Sequence, residues 1–585
     1  MVFTTPKWAP DLAIEPPESI TLADFMLDEK YGRRAFNESK PPFTCGLTGK
    51  EYSAVEVRDR VEKLARGISK ELGWKPNEGT QWDKVMGIFS FNAIDFLTLS
   101  WAVHRLSGIN SPANAAYSAD ELAYQLKSSG STALVTCISL LPTALEAAAK
   151  SNIPKNRVYL LPLLGKDNTA AEKASGFKTI DHLIEKGASV ESLEPLRLEK
   201  GQGARQAAFL CYSSGTSGLP KGVMISHRNV IANVLQIAAF ETPYREYMTK
   251  KIGGLAYTDV GLGLLPMSHI YALVVICHAA AYRGDGTITL PKFEMNSYLS
   301  AIQNYKINTL YVVPPIIINM IKNQPVLDKF DLSSVRVLFT GAAPLGLETA
   351  EQLYEQYPSW FIRQGYGLTE TATVVCSSSY DDIWFGSSGS LLPRVEAKVI
   401  TPEGNEVTGY DQPGELVVRS PSVTLGYLNN DTATKESFQD GWVRTGDEVI
   451  VRLSPKGNEH IFIVDRIKEL IKVKGMQVAP AELEAHILTH PAVADCAVIP
   501  VLDEAAGEVP KVYVVKAASV GLEDHDRVVM RDIQKHVEKH KARHKWLKGG
   551  VEFIDVIPKS PSGKILRRVL RDKDRAARKA QGPKL

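Results

Sequence analysis

Tyr212-Ser213-Ser214-Gly215-Thr216-Ser217-Gly218-Leu219-Pro220-Lys221-Gly222 follows directly on the apolar run Ala207 to Cys211. It reads as a strand that empties into a phosphate-binding loop. Glycines let backbone N–H groups wrap an anion, hydroxyls add donors, and Lys221 supplies a mobile positive charge for the outer phosphates. The spacing is not G-x-x-x-x-G-K-[ST], which needs glycine where Pro220 stands and a hydroxyl where Gly222 stands, so an NTPase of that type is disfavoured. Glycine and serine alone also describe a plain surface linker. The ordered series S-S-G-T-S-G-L-P-K-G argues against that bland reading.

The chain of 585 residues, 44% hydrophobic and 23% charged, exceeds one ordinary domain and predicts two or three structural units. A net charge of +2 gives no global field for nucleic acid or an anionic membrane, so phosphate chemistry must be local. Cys45, Cys137, Cys211, Cys277, Cys376 and Cys496 form no C-x-x-C pair and read as reduced core cysteines of an intracellular protein. Met1 to Pro17 lacks the basic-then-apolar order of a secretory signal. The apolar runs Ile270 to Tyr282 and Leu310 to Ile321 fall short of the ~18 residues of a transmembrane span, and are expected to be buried elements.

Apolar residues recur at helical spacing from Tyr52 to Leu72, followed by a short apolar run at Val85 to Phe91 and a second helical pattern at Asp95 to Val103. The alternation returns between Ala119 and Leu163, which predicts an α/β unit with mostly parallel strands. Beyond the loop come a helical pattern at His227 to Phe240 and a strand at Val260 to Leu265. Gly261-Leu262-Gly263 lacks the third glycine of a dinucleotide fingerprint, and His269 taken alone reads equally well as a packed core histidine.

A strand at Val335 to Phe339 ends in Gly341-Ala342-Ala343-Pro344-Leu345, small residues that let a planar ligand approach. Phe361 to Arg363 leads into Gln364-Gly365-Tyr366-Gly367-Leu368-Thr369-Glu370, where an aromatic ring, a hydroxyl and a carboxylate suit a base, a phosphate and a magnesium ion. From Ala397 short strands with turn signals predict a small β-rich subdomain, which carries Asp447 as either a turn residue or a grip on sugar hydroxyls. The main boundary is placed between Val464 and Asp465. It separates a large N-terminal domain, 1–464, of α/β subdomains plus the β-rich piece from a smaller α+β C-terminal domain, 465–585. Near the end, Pro558-Lys559-Ser560-Pro561-Ser562-Gly563-Lys564 puts a lysine on a turn that opens a helix, and the basic stretch Arg567 to Lys584 is expected to be a solvated helix with a frayed tail.

These segments, in this order, resemble the acyl-adenylate-forming superfamily of acyl-CoA ligases, firefly luciferases and peptide-synthetase adenylation domains. His269-Ile270-Tyr271, Gly341 to Leu345 and Lys468-Glu469-Leu470-Ile471-Lys472 resemble 4-coumarate:CoA ligases, and nearly the whole length is similar to fungal phenylacetyl-CoA ligases. The resemblance implies an ATP-dependent carboxylic acid:CoA ligase with ATP, Mg²⁺ and CoA as its small-molecule partners. The acid attacks the α-phosphate to give acyl-AMP and pyrophosphate, and the CoA thiol then displaces AMP. It further implies that Ser213, Ser214, Gly215, Thr216, Ser217, Gly218 and Lys221 hold the outer phosphates, and that Ala342, Ala343, Gln364, Gly365, Tyr366 and Gly367 bound the adenine. Thr369 is then on the α-phosphate, Glu370 on the metal, and Asp447 and Arg466 on the ribose.

Lys564 is implied as the catalytic lysine, with Lys472 and Gln477 also serving catalysis, Lys474 and Gly475 serving CoA, and Asp465 and Lys468 forming the hinge of a mobile C-terminal domain. His269, Tyr271, Gly341, Gly365 and Val374 are implied as the acyl pocket, which favours aryl acids of the phenylacetate or hydroxycinnamate type or medium-chain acids. The aspartate that peptide-synthetase domains keep near the His269 region is absent, and Thr373 stands where 4-coumarate:CoA ligases usually have proline. A luciferase-like oxygenase and a non-catalytic nucleotide-binding relative are the competing readings. Pro583-Lys584-Leu585 resembles the Ser-Lys-Leu peroxisomal address, which implies a peroxisomal import receptor as a partner; otherwise the chain is expected in the cytoplasm.

Overall fold

The computed structural model describes residues 1–213, 220–254, 256–518, 520, 526–560 and 563–580. Ser214, Gly215, Thr216, Ser217 and Gly218 of the loop, and the tail Pro583-Lys584-Leu585, lie outside the described residues. Local signals and fold agree where caps are strong. Ala54–Leu72 starts on a Ser53/Glu56 capping box and stops at Gly73, whose φ of 74° lets the chain turn off the helix.

Two α/β sheets form the large domain. The first runs Val158–Leu160, Ala133–Thr136, Val85–Phe89, Ile109–Ala113, Ala207–Ser213, Lys221–Ser226. Every pair in it is parallel except the last, in which Ser213 lies opposite Lys221. The phosphate loop thus closes a hairpin, which explains why it lacks strand-to-helix P-loop spacing. The second sheet has nine strands. Its parallel centre runs from Phe361–Leu368 through Val337–Thr340, Thr309–Val312, Val260–Gly263 and Gly286–Thr289 to Phe43–Cys45, with antiparallel strands at both edges.

The long helix His227–Lys251 and the π-helix Ala272–Ala279 pack together inside this domain, and the apolar run Ile270 to Tyr282 is buried as expected. The first of these helices outruns its sequence pattern: it continues from Phe240 through Pro243 to Lys251. An antiparallel five-stranded sheet, Glu396–Ile400, Gly414–Arg419, Phe438–Gln439, Trp442–Leu453 and Glu459–Arg466, is the predicted β-rich piece. Its last strand carries the chain past residue 464 to Arg466.

From Ile471 onward the chain has its own core, built of residues 471 to 570 around the strands Val493–Asp503 and Gly507–Lys516 and the helices Pro480–Ile487 and Asp526–His540. The final helix, Arg567–Ala580, is less solvated than its composition suggests. Arg567, Leu570 and Asp574 are buried, because Arg567 donates to Glu469 and Glu484, each at 2.7 Å, and Asp574 accepts from Lys511 at 2.7 Å. All six cysteines are buried and free, and no helix among the described residues is long and apolar enough to cross a membrane.

Candidate active site

The site gathers where strand ends of the second sheet meet the hairpin and the C-terminal turn. Strand Phe361–Leu368 runs through most of the Gln364-to-Glu370 motif, so Tyr366 projects from a sheet and not from a loop. Tyr366 Oη donates to Asp447 Oδ2 at 2.6 Å, and Asp447 pairs across its own sheet with Arg466, whose Nε lies 3.8 Å from Oδ1. Burial pushes the Asp447 carboxyl above its ordinary range, opposed by Arg466, by the Tyr366 hydrogen bond and by the Lys564 charge. Ala342, at φ 68°, and Gly367 are exposed.

Glu370 sits on the 3₁₀ turn Thr369–Thr371. Its Oε1 accepts from Ser213 Oγ at 3.3 Å and from Tyr427 Oη at 2.9 Å. Tyr427 reaches it because residues 425–428 pair alongside strand Lys221–Ser226, with Leu428 N donating to Gly222 O at 2.8 Å. Lys221 Nζ lies 4.8 Å from the Tyr427 ring centre. Tyr427 was not legible in the sequence, since Gly426-Tyr427-Leu428 matches no motif.

Lys564 arrives from the C-terminal core on a tight turn in which Ser560 N donates to Lys564 O at 2.8 Å and Gly563 adopts φ 81°. A Cβ on Gly563 would stand 3.1 Å from Val313, so this turn is seated directly on the large domain. Among the described residues the Lys564 ammonium makes neither a hydrogen bond nor an ion pair. Burial and the Arg466 charge push it down to about 8, while Glu469, Asp447 and Glu370 pull it back up. His269, half-buried, is lowered to about 4 by burial and by Lys564, and is neutral at pH 7.

The predicted acyl residues converge. Tyr271 Oη donates to Phe339 O at 3.0 Å, and a Cβ on Gly365 would strike the Phe339 ring at 2.6 Å. A Cβ on Gly341 would stand 3.6 Å from the Tyr271 ring. Thr373 has φ 121°, which proline, fixed near −65°, cannot adopt, and its hydroxyl donates to Ile270 O at 3.0 Å. That bond ties the strand of Val374 to the His269 loop.

Val374 and Phe339 also line a small cavity walled by Ile237, Phe240, Val275 and Val337. Val337 and Phe339 share one face of a strand, so the cavity runs back along the sheet by roughly 7 Å. Its charged lining is Glu241, Asp259, Arg283 and Arg363, which motif reading missed because they are scattered between residues 241 and 363. Arg363 donates to Glu241 at 2.7 Å. Burial acts to raise the Glu241 carboxyl, but Arg363 overrides it and holds the group below its ordinary value.

Not every predicted residue joins this face. Lys472 and Gln477 are cross-strand partners on the hairpin Ile471–Val473/Met476–Val478, with Lys474 and Gly475 at its tip, all exposed. Gln477, with its amide nitrogen turned inward, donates to Glu448 at 2.9 Å, beside Asp447 but not in the cleft. Asp465 accepts from Ala481 N at 3.0 Å and Lys468 is exposed.

Residues 31–428 match the model of the AMP-binding enzyme family, and residues 482–564 match that of the AMP-binding enzyme C-terminal domain. This chain belongs to the AMP-binding enzyme family. As a member it is 41% identical over 573 residues to Acyl-CoA ligase easD of Emericella nidulans, covering 98% of this chain and 100% of that one. It is also 41% identical over 579 residues to Acyl-CoA ligase AFT1-1 of Alternaria alternata, covering 98% and 97%. Among solved structures, the anthranilate CoA ligase AuaEII in complex with anthranoyl-AMP shares the fold with a TM-score of 0.77 at 22% identity, covering 95% of this chain and 98% of that one. The large and small domains of this family member therefore have the adenylate-forming arrangement.

Proposed function

We propose that this enzyme is an AMP-forming acid:CoA ligase for acids with an apolar body and an oxygen-bearing far end, of the arylacetic, hydroxycinnamic or medium-chain type. One observation carries the reading: Lys564, on a separate domain, has an ammonium with no ion-pair partner among the described residues and feels the charges of Arg466, Glu469, Asp447 and Glu370. A carboxylate offers no leaving group until one oxygen is joined to phosphate. When it attacks the α-phosphate, a new C–O–P link forms, the bond to pyrophosphate breaks, and negative charge gathers between the two reactants. An ammonium without a competing partner is the group to receive that charge.

Lys221 and Ser213 stand at the mouth of the hairpin to take the leaving pyrophosphate, and Tyr366 and Asp447 bound the base and ribose. Glu370 with the Ser213 and Thr369 hydroxyls is an oxygen donor set of the kind Mg²⁺ accepts. Bound there, Mg²⁺ supplies neutralisation of phosphate charge. Neutral His269 and Tyr271 face the carboxyl end of the acid without adding a charge that competes with Lys564. The thioester step then needs the exposed Lys472, Lys474, Gly475 and Gln477 hairpin to replace the Lys564 turn by rotation near Asp465 and Lys468.

In the cavity, Phe339, Val374 and Ile237 suit a ring or chain, and Arg283 and Arg363 of its lining suit a hydroxyl or carbonyl oxygen. Incubation with MgATP, CoA and a panel of phenylacetate, hydroxycinnamates and medium-chain acids with and without terminal oxygen tests this reading. Acid-dependent AMP and acyl-CoA are expected, with oxygenated acids ahead. No acid-dependent AMP release sinks the ligase reading, and equal rates across the panel sink the assignment of the acid.

A further inference from the structure

Away from this cleft, two helices of the C-terminal core turn histidines toward each other. His486 lies on helix Pro480–Ile487 with His490 four residues on, and His536 and His540 lie one turn apart on helix Asp526–His540. The His486 and His536 rings stack with centres 4.3 Å apart, and His540 stands 5.2 Å and 5.4 Å from them. One nitrogen from each of the three lies within 4.8 Å of the other two.

Ring nitrogens that face carbonyl oxygens must carry the proton. His486 Nε2 lies 3.2 Å from His536 O, His536 Nε2 lies 3.3 Å from His486 O, and His540 Nδ1 lies 3.0 Å from His536 O. Each ring is thereby fixed in a tautomer that leaves its other nitrogen with a lone pair, the arrangement found around metal-ligating imidazoles. His486 is buried, His536 half-buried and His540 exposed, so the cluster opens to solvent at one side.

We propose that His486, His536 and His540 form a binding site for a divalent transition-metal ion of the Zn²⁺, Co²⁺ or Ni²⁺ class, which clamps the two helices of the C-terminal domain. All-imidazole donors favour these ions over Mg²⁺ or Ca²⁺. Ligation at ~2.0–2.1 Å brings nitrogens to about 3.4 Å of one another, so the rings move inward and the stacked pair turns until its lone pairs converge. His490, whose ring centre is 5.2 Å from that of His536, is engaged at both nitrogens, Nε2 at 3.3 Å from Asp532 and Nδ1 accepting from Ala492 N at 3.2 Å, and is left out of the site.

The test uses the untagged full-length protein after chelator treatment, titrated with ZnCl₂ by calorimetry and with CoCl₂ by visible absorption at pH 7.5. One equivalent is expected to bind with a rise in melting temperature, and binding should weaken toward pH 5.5 as protons compete for the rings. His536→Asn/His540→Asn should lose at least ~100-fold in affinity while keeping acid-dependent pyrophosphate exchange. His486→Gln serves as a second variant should that pair fold poorly. No one-equivalent binding, or binding of unchanged strength in the variants, overturns the proposal.

Discussion

The two walls of the cleft are built differently. On the large domain, Tyr366, Asp447 and Glu370 sit on or beside strands and are held by short hydrogen bonds from neighbouring sheets. On the C-terminal domain, Lys564 sits on a turn, and only its backbone is bonded locally. One wall is preorganised and the other is delivered. The difference teaches that the delivered wall needs a rigid mount of its own, and Arg567, three residues after Lys564, is that mount. It joins Glu469 to Glu484 in helix Pro480–Ile487.

Breaking the mount should give the largest effect. Arg567→Met leaves Glu469 and Glu484 buried without their cation and is expected to cost ~3–5 kcal/mol in the C-terminal domain, read as an early thermal transition. An unchanged melting curve means the clamp is not what holds the turn. Next comes the delivered charge itself. Lys564→Ala should slow acid-dependent pyrophosphate exchange by ~10²–10³-fold while leaving thioester formation from preformed acyl-AMP near wild type.

A pH profile sharpens the same contrast. Because the Lys564 pKa is pushed down to about 8, its charged form prevails below that value and is lost above it, so exchange should fall about tenfold between pH 7 and pH 9. Lys564→Arg should be slower but flat over this range; a falling limb that survives in it belongs to another group. The smallest effect is expected on the fixed wall. Ala372, at φ 49°, is a non-glycine residue in the left-handed region, and Ala372→Gly should change stability by no more than ~1 kcal/mol in either direction. A larger loss shows that the wall depends on its methyl group.

Much of this was legible in the sequence, for identifiable reasons. Glycine-rich motifs and Lys564 announce themselves because backbone approach and a lone basic residue on a turn leave local marks. The parallel sheets were readable because most of their strands are followed by a helix, two of them with side-chain caps at Ser118 and Glu294. What lay hidden was set by pairing at long range. Tyr427 reaches Glu370 only because residues 425–428 align with Lys221–Ser226, and Arg567 looked solvated because its two carboxylates lie 98 and 83 residues away. The charged lining of the cavity is likewise contributed by two helices, one strand and the residue before another strand, with no shared spacing to detect.

The hairpin that closes the phosphate loop has a kinetic meaning. With Ser213 opposite Lys221 on antiparallel strands, the loop's downstream end enters a strand, and the following helix begins only at His227. A loop that opens straight into a helix holds phosphate with about half a unit of fixed positive charge from the helix end. Among the described residues no helix end stands at the mouth of this hairpin, so an anion held there would rest on the Lys221 ammonium, the hydroxyls and the loop's own N–H groups, and could leave without unfolding a strand or a helix.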